Sequence, residues 1–107
     1  MNPFELYISY ISWGGNGKYR PILVFAIKDG IVYAHPVTSR YETKSEAIRA
    51  GYFKLNDWTY AGLDRQSYID TGNCLVFPMS ALDDKTPIGK LSTGDKIGLL
   101  EFLSKRT

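Results

Sequence analysis

A small, mainly β domain is what this sequence predicts: an antiparallel barrel with one short inserted helix and one closing helix. Three observations carry that expectation. Short runs rich in Tyr, Ile, Val and Trp recur at close spacing. Clusters of Gly, Asn and Asp separate them, at Gly14-Gly15-Asn16-Gly17, Asp29-Gly30 and Thr71-Gly72-Asn73. A parallel sheet would need longer crossover connections than these gaps allow. The pattern fits an SH3-like antiparallel barrel of about five to seven short strands.

Residues 5–13 read as the first strand and end in the glycine-rich loop at residues 14–17. Lys18, Tyr19 and Arg20 follow that loop. Residues 21–27 are apolar on both faces, as in a buried strand. Pro21 fits its first position, where a ladder donor is least missed. Asp29-Gly30 is a hairpin signal, and residues 31–37 are the return strand. Thr38-Ser39-Arg40 close the outer end of that hairpin. Thr43-Lys44-Ser45-Glu46 is a capping box for a short helix over residues 44–50, stopped by Gly51. Residues 52–55, 67–70 and 74–77 are further strands, with Asn56-Asp57 turning the chain toward Trp58 and Ala61-Gly62-Leu63. Thr71-Gly72-Asn73 reads as either a turn or a bulge. Thr86-Pro87 precedes an extended piece over residues 88–91. Ser92 is an N-cap with Asp95 in the first turn behind it. Ile97, Leu99, Leu100, Phe102 and Leu103 then form an amphipathic helix, with Lys105 and Arg106 at the favourable end of its dipole.

The chain has 107 residues, 44% of them hydrophobic and 14% aromatic, which is enough for one domain over residues 1–107 with its own core. Disorder is excluded as the default. The longest apolar stretch, residues 21–27, is too short to cross a bilayer, and the N-terminus has no basic segment followed by an apolar one. No membrane association is expected, and a cytoplasmic location is. The single cysteine, Cys74, excludes an internal disulfide and a multi-cysteine zinc site. It begins an apolar strand, so a buried, inert thiol is expected. A net charge of +2 permits an anionic partner without demanding one.

The sequence holds no phosphate-binding glycine loop, no dinucleotide fingerprint and no histidine-based zinc motif. With one histidine and one cysteine, neither a metal nor a cofactor is expected. If Asp29-Gly30 makes a tight hairpin, Arg20 and Thr38-Ser39 become neighbours at its open end. A guanidinium beside a hydroxyl there is a phosphate-binding arrangement, or else an ordinary surface Arg beside a turn. His35 lies three residues before Thr38, and strand residues three apart point to opposite faces. A structural role is therefore expected for it rather than general-base work. Lys18, Arg20, Arg40, Lys44 and Lys54 are interleaved with Trp13, Tyr19, Tyr41 and Trp58. Charge for phosphates and flat faces for bases are what single-stranded nucleic acid requires, although barrels use the same aromatics in their cores. Asp70 follows Ser67-Tyr68-Ile69 near a strand end. It reads as a carboxylate that could orient Arg20 or take a proton from a substrate hydroxyl, or as a solvated strand-end residue.

The order of these pieces resembles the MazF/PemK (Kid) toxins of bacterial toxin–antitoxin modules. The matching segments are Tyr19-Arg20-Pro21 before an apolar run, Pro36-Val37-Thr38-Ser39, Ala61-Gly62-Leu63, Ser67-Tyr68-Ile69-Asp70 and Ile88-Gly89-Lys90-Leu91-Ser92. The resemblance implies a homodimeric SH3-like barrel that cuts single-stranded RNA without a metal and is inhibited by a cognate antitoxin. It implies Arg20 and Thr38 as the catalytic pair and Ser39 as a substrate contact, beside Lys18, Tyr19 and Arg40. The family's reaction is attack of a ribose 2′-hydroxyl on the adjacent phosphate, leaving a 2′,3′-cyclic phosphate and a 5′-hydroxyl. Asp70 is the candidate base. Some members carry an Arg and an Asp two residues apart in this strand; here Ile69-Asp70-Thr71-Gly72 holds no such Arg, and the 44–50 insertion lengthens the loop after Thr38-Ser39. The alternative function is a barrel that binds RNA or an acidic peptide without cutting.

Overall fold

A computed structural model describes residues 1–106, and of Trp13 the backbone alone. Among the described residues the order is β1 (Glu5–Trp13), β2 (Asn16–Lys28), β3 (Ile31–Thr38), α1 (Glu46–Arg49), β4 (Tyr52–Lys54), β5 (Tyr68–Asp70), β6 (Leu75–Pro78), a 3₁₀ turn (Met79–Leu82), β7 (Gly89–Lys90) and α2 (Thr93–Ser104). All the strand pairs are antiparallel, in the spatial order β4-β5-β3-β2-β1-β7, with β6 also on β3. The sheet curls into a half-barrel, with β4 and β7 as its two edges.

The turns explain the register. Gly14 (φ 49°) and Gly15 (φ 84°) both take left-handed backbone, as a primed two-residue hairpin requires. The expected loop at 14–17 is therefore a tight turn. β2 begins at Asn16, which puts Lys18, Tyr19 and Arg20 inside a 13-residue strand rather than beyond a loop. Pro21 lies within that strand, opposite Ile8, and not at its start. Asp29 (φ 52°) and Gly30 (φ 76°) make the second hairpin as expected.

Period-two alternation gives the sheet two apolar faces. One face presents Leu6, Leu23, Val37 and Ile69 to Leu99 of α2 and to Leu55, Ala61 and Leu91. The other presents Tyr7, Ile22, Val24, Val32 and Ala34 to Leu82 of the 3₁₀ turn. A fully buried aliphatic side chain contributes roughly 1.5–3 kcal/mol. β3 is shared on its outer edge: β6 pairs with Ile31 to Ala34, and β5 takes over at Val37 and Thr38. Between β5 and β6 the residues Thr71-Gly72 form a turn, which answers the turn-or-bulge question. The Asp70 carboxylate shapes it, accepting from the Gly72 N–H at 3.1 Å and from Asn73 Nδ2 at 2.7 Å.

The helices differ from expectation in detail. The cap of α1 is Ser45, whose Oγ accepts from the Ile48 N–H at 3.3 Å, so the helix is Glu46–Arg49 and Thr43 lies outside it. The cap of α2 is Ser92, as read from the sequence. Asp95 in its first turn is buried, and its carboxylate accepts from the backbone N–H groups of Asn56 (3.0 Å) and Asp57 (2.8 Å). That bond pair ties the helix N-terminus to the loop after β4. The expected apolar face of α2 is narrower than the sequence suggests. Leu99 is fully buried, but Ile97 and Leu100 are 52% and 46% exposed, because the helix meets the sheet along one stripe only. Cys74 is exposed, not buried, since it lies between the Thr71-Gly72 turn and the start of β6. Among the described residues no helix is long and apolar enough to cross a membrane.

Candidate functional site

The β2–β3 ladder stops at the pair Ile22–Pro36. Pro21 and Pro36 flank this point and carry no N–H, and one of the two missing donors falls in the β2–β3 gap. Beyond it β2 stays with β1, Arg20 opposite Ser9 and Lys18 opposite Ile11. β3 turns instead to β5, Thr38 opposite Tyr68. The strands part, and an open cavity of about 230 Å³ lies between them. Lys18, Tyr19 and Arg20 form one wall, and Thr38, Ser39 and Arg40 the other. Leu63, Asp64 and Arg65, from the loop before β5, lie along the rest. Six of the seven site residues read from the sequence thus meet in one place.

Charge is concentrated there. Lys18, Arg20, Arg40 and Arg65 face one cavity, and its one carboxylate, Asp64, is paired to Arg65 at 3.2 Å. The Lys18 ammonium is held below the ordinary lysine range, chiefly by Arg20, then by partial desolvation and by Arg40 and Lys44. Like charges held together by a fold leave a site that an anion relieves. Thr38 is buried, and its Oγ1 accepts from the Arg40 N–H at 3.1 Å. Its hydroxyl hydrogen is thereby left to donate. Arg20 is half-buried, with its Nε shielded from water.

Asp70 is not in this cavity. It borders a second one, of about 270 Å³, whose walls include Ile11, Pro36, Asn73, Cys74 and Leu75, and Arg20 lies between the two. Across β4–β5, Asp70 faces Tyr52. The Tyr52 hydroxyl ionises above the ordinary tyrosine range, first through burial and then through Asp70, with Arg20 opposing. His35 keeps to the structural role expected of it: Nδ1 donates to the Asn73 carbonyl at 2.6 Å, and the ring meets Phe25 edge-on. Trp58 is half-buried and packs against the core. Tyr41 stacks on Tyr68 at 4.5 Å, with the Arg49 guanidinium over the Tyr41 ring. Tyr19 is exposed and meets Tyr10 edge-on. The side chain of Trp13 lies outside the described residues.

Sequence reasoning missed Arg65, Asn73 and Tyr52. Arg65 sits in a loop with no motif of its own. It is brought to the site because Asp95 holds the start of that loop and because Gly62 packs directly on the backbone of Ile88 and Gly89. Gly62 has φ 89°, and a Cβ there would collide with the Ile88 carbonyl, while one on Gly89 would strike the Ala61 carbonyl. The two Gly-containing segments are the same contact seen from its two sides. Among the described residues no three histidine, cysteine or carboxylate side chains gather as metal ligands would.

Solved toxin structures share this architecture. Mycobacterium tuberculosis toxin MazF-mt6 is similar over 94% of this chain and 93% of its own, with a TM-score of 0.67 and 19% identity. A second Mtb toxin is similar over 82% of this chain and 92% of its own, with a TM-score of 0.60 and 19% identity. No protein-family model matches the chain, and no curated protein sequence does. The chain has the mainly-β fold of the MazF toxins, as the resemblance in its sequence implies.

Proposed function

We propose that the protein is a MazF/PemK-type toxin: an endoribonuclease for single-stranded RNA, working as a homodimer in the cytoplasm and restrained by an antitoxin. The observation that carries this reading is the convergence of Lys18, Arg20, Arg40 and Arg65 with the Thr38 hydroxyl on one open cavity. A phosphodiester is the anion that such a set suits. Arg20 neutralises charge growing on the phosphate oxygens, a contribution of roughly 3 kcal/mol for one well-aimed donor. Thr38 donates to the same phosphate, and Ser39, Lys18, Tyr19 and Arg40 hold the flanking chain. The ribose 2′-oxygen bonds to phosphorus as the bond to the 5′-oxygen breaks, giving a 2′,3′-cyclic phosphate and a 5′-hydroxyl. The 2′-proton leaves through solvent water to Asp70, which borders the neighbouring cavity, and the departing 5′-oxygen takes a proton from solvent water. No metal enters the scheme. An antitoxin segment with acidic side chains would cover the same cations and so inhibit.

The test is incubation of the purified protein with a long single-stranded RNA in the presence of a chelator, followed by mapping of the new ends. Discrete cuts with 5′-hydroxyl ends, lost in Arg20→Ala, are the expected result. RNA left intact by a folded protein that still binds it would overturn the cleavage reading in favour of a binding module.

A further inference from the structure

Residues 39–51, which lengthen the chain after Thr38, take no part in the scheme above beyond Ser39 and Arg40. Their two ends meet the neighbourhoods of two groups on which that scheme depends. At the start, the Arg40 N–H donates to Thr38 Oγ1 at 3.1 Å. At the end, the Gly51 carbonyl accepts from the N–H (2.8 Å) and from the hydroxyl (2.6 Å) of Thr71, the residue after Asp70. The segment is an arm rooted beside Thr38 at one end and beside Asp70 at the other.

A surface arm holds one shape only if its own groups brace it. Arg49 of α1 supplies the brace. Its Nε donates to the Tyr41 carbonyl (3.0 Å) and its Nη2 to the Glu42 carbonyl (2.6 Å), with the guanidinium over the Tyr41 ring. Tyr41 in turn stacks on Tyr68 of β5, and Arg106 donates to the Ala50 carbonyl at the far end. Bridging two successive carbonyls uses the fork of an arginine, which a lysine does not have.

What the brace holds in place is Lys44. Its N–H donates to the Tyr41 carbonyl at 3.2 Å, so the chain reverses just past Arg40 on the cavity wall. Lys44 is half-buried, and among the described residues it has no ion pair. It lies near enough to Lys18, on the other wall, for its charge to weigh on that ammonium.

We propose that the arm lengthens the phosphate track: Lys44 takes a phosphate of single-stranded RNA beyond the one held at Arg20, and Arg49 is the positioning residue that presents it. This rests on the RNA-binding reading above. A cation on a braced arm has less freedom to lose on binding than one on a loose loop.

The test measures the affinity of a 2′-fluoro oligo(U), which lacks the attacking hydroxyl and so reports binding alone, across a range of salt. Lys44→Ala should lower the slope of log affinity against log salt by about 0.7, with the urea midpoint unchanged. Lys28→Ala, at the far end of β2, should leave the slope as it is. Arg49→Ala and Arg49→Lys should both reproduce Lys44→Ala, and neither should add to it in a double variant. If Arg49 touched a phosphate itself, Arg49→Lys would behave as wild type and Arg49→Ala would add a further drop of about 0.7 to Lys44→Ala, which would overturn the positioning role. If Lys44→Ala leaves the slope unchanged, or Lys28→Ala lowers it equally, while Arg20→Ala weakens binding, the arm is no part of the track and the RNA reading stands. Should the Arg49 variants fail to fold, Lys44→Ala against Lys28→Ala decides. If wild type does not bind the oligomer, the RNA reading itself fails and takes this one with it.

Discussion

Past the Asp29-Gly30 turn, the β2–β3 ladder runs from Lys28–Ile31 to Ile22–Pro36 with one irregularity between Val24 and Ala26, and β6 pairs along the outer edge of β3. Val24, Val32 and Ala34 there are fully buried under Leu82. At the opposite end of the same two strands the ladder has stopped, Lys18, Tyr19, Ser39 and Arg40 are exposed, and four cations face one cavity. The switch lies at Pro21 and Pro36. The ladder ends at these prolines, and the cavity opens beyond them. Like charges gathered at the open end disfavour folding, so the stability of the hairpin has to come from the closed end. One pair of strands thus separates stability from chemistry along its length.

Several changes would break or sharpen that separation. The largest effect is expected from Arg20→Ala at the open end: RNA cleavage lower by roughly 10²–10³-fold, with little change in the denaturation midpoint. Parallel cleavage assays and urea titrations check it, and a loss of stability in step with activity would deny the division. Leu82→Ala at the closed end should do the converse, costing about 2–5 kcal/mol through lost burial and the cavity left behind. Activity per folded molecule should be unchanged. A smaller effect follows from Lys18→Ala, which should lower the slope of log affinity for single-stranded RNA against log salt by about 0.7, the signature of one phosphate contact. The smallest concerns pH. Tyr7 ionises above the ordinary tyrosine range, first through burial and then through Glu5, whose carboxylate accepts its hydroxyl at 3.2 Å, and Tyr52 does so as described above. Their folded values exceed the unfolded one of 10.0. The stability they contribute is therefore fully present below about pH 10 and is lost as pH rises through the folded values. Phenolate absorbance should show both titrating late, and Tyr7→Phe should flatten the alkaline decline in stability.

Much of this was legible beforehand, and for local reasons. The strands of the half-barrel announce themselves by alternation, and Asp29-Gly30 fixes the count that sets Arg20 near Thr38. His35 could be taken off the catalytic side because alternation turns it away from Thr38. The errors arise where a short motif has two readings. Gly14-Gly15-Asn16-Gly17 looks like a loose loop, yet positive φ at the first two residues folds it into a turn and lengthens β2. Ile97 and Leu100 look like core, but a helix lying on a sheet buries a narrower stripe than one inside a bundle. Asp70 was read as near Arg20, which holds, though on the side of Arg20 away from Thr38.

Taken alone, the sequence determined the antiparallel strand order of the hairpins, the tight Asp29-Gly30 turn, the Ser92 cap of the closing helix and the meeting of Arg20 with Thr38-Ser39. Each of these depends on residues close together in the chain, where alternation and backbone φ act directly. Tertiary structure alone decided that Arg65 completes the cationic cavity, that Asn73 and Asp70 border a second one, and that Cys74 is exposed. The placing of Arg65 depends on Gly62 meeting Gly89 and on Asp95 reaching the Asn56-Asp57 corner, contacts between segments more than twenty-five residues apart. No local pattern records such a contact, because it forms only when the sheet face and α2 have packed together.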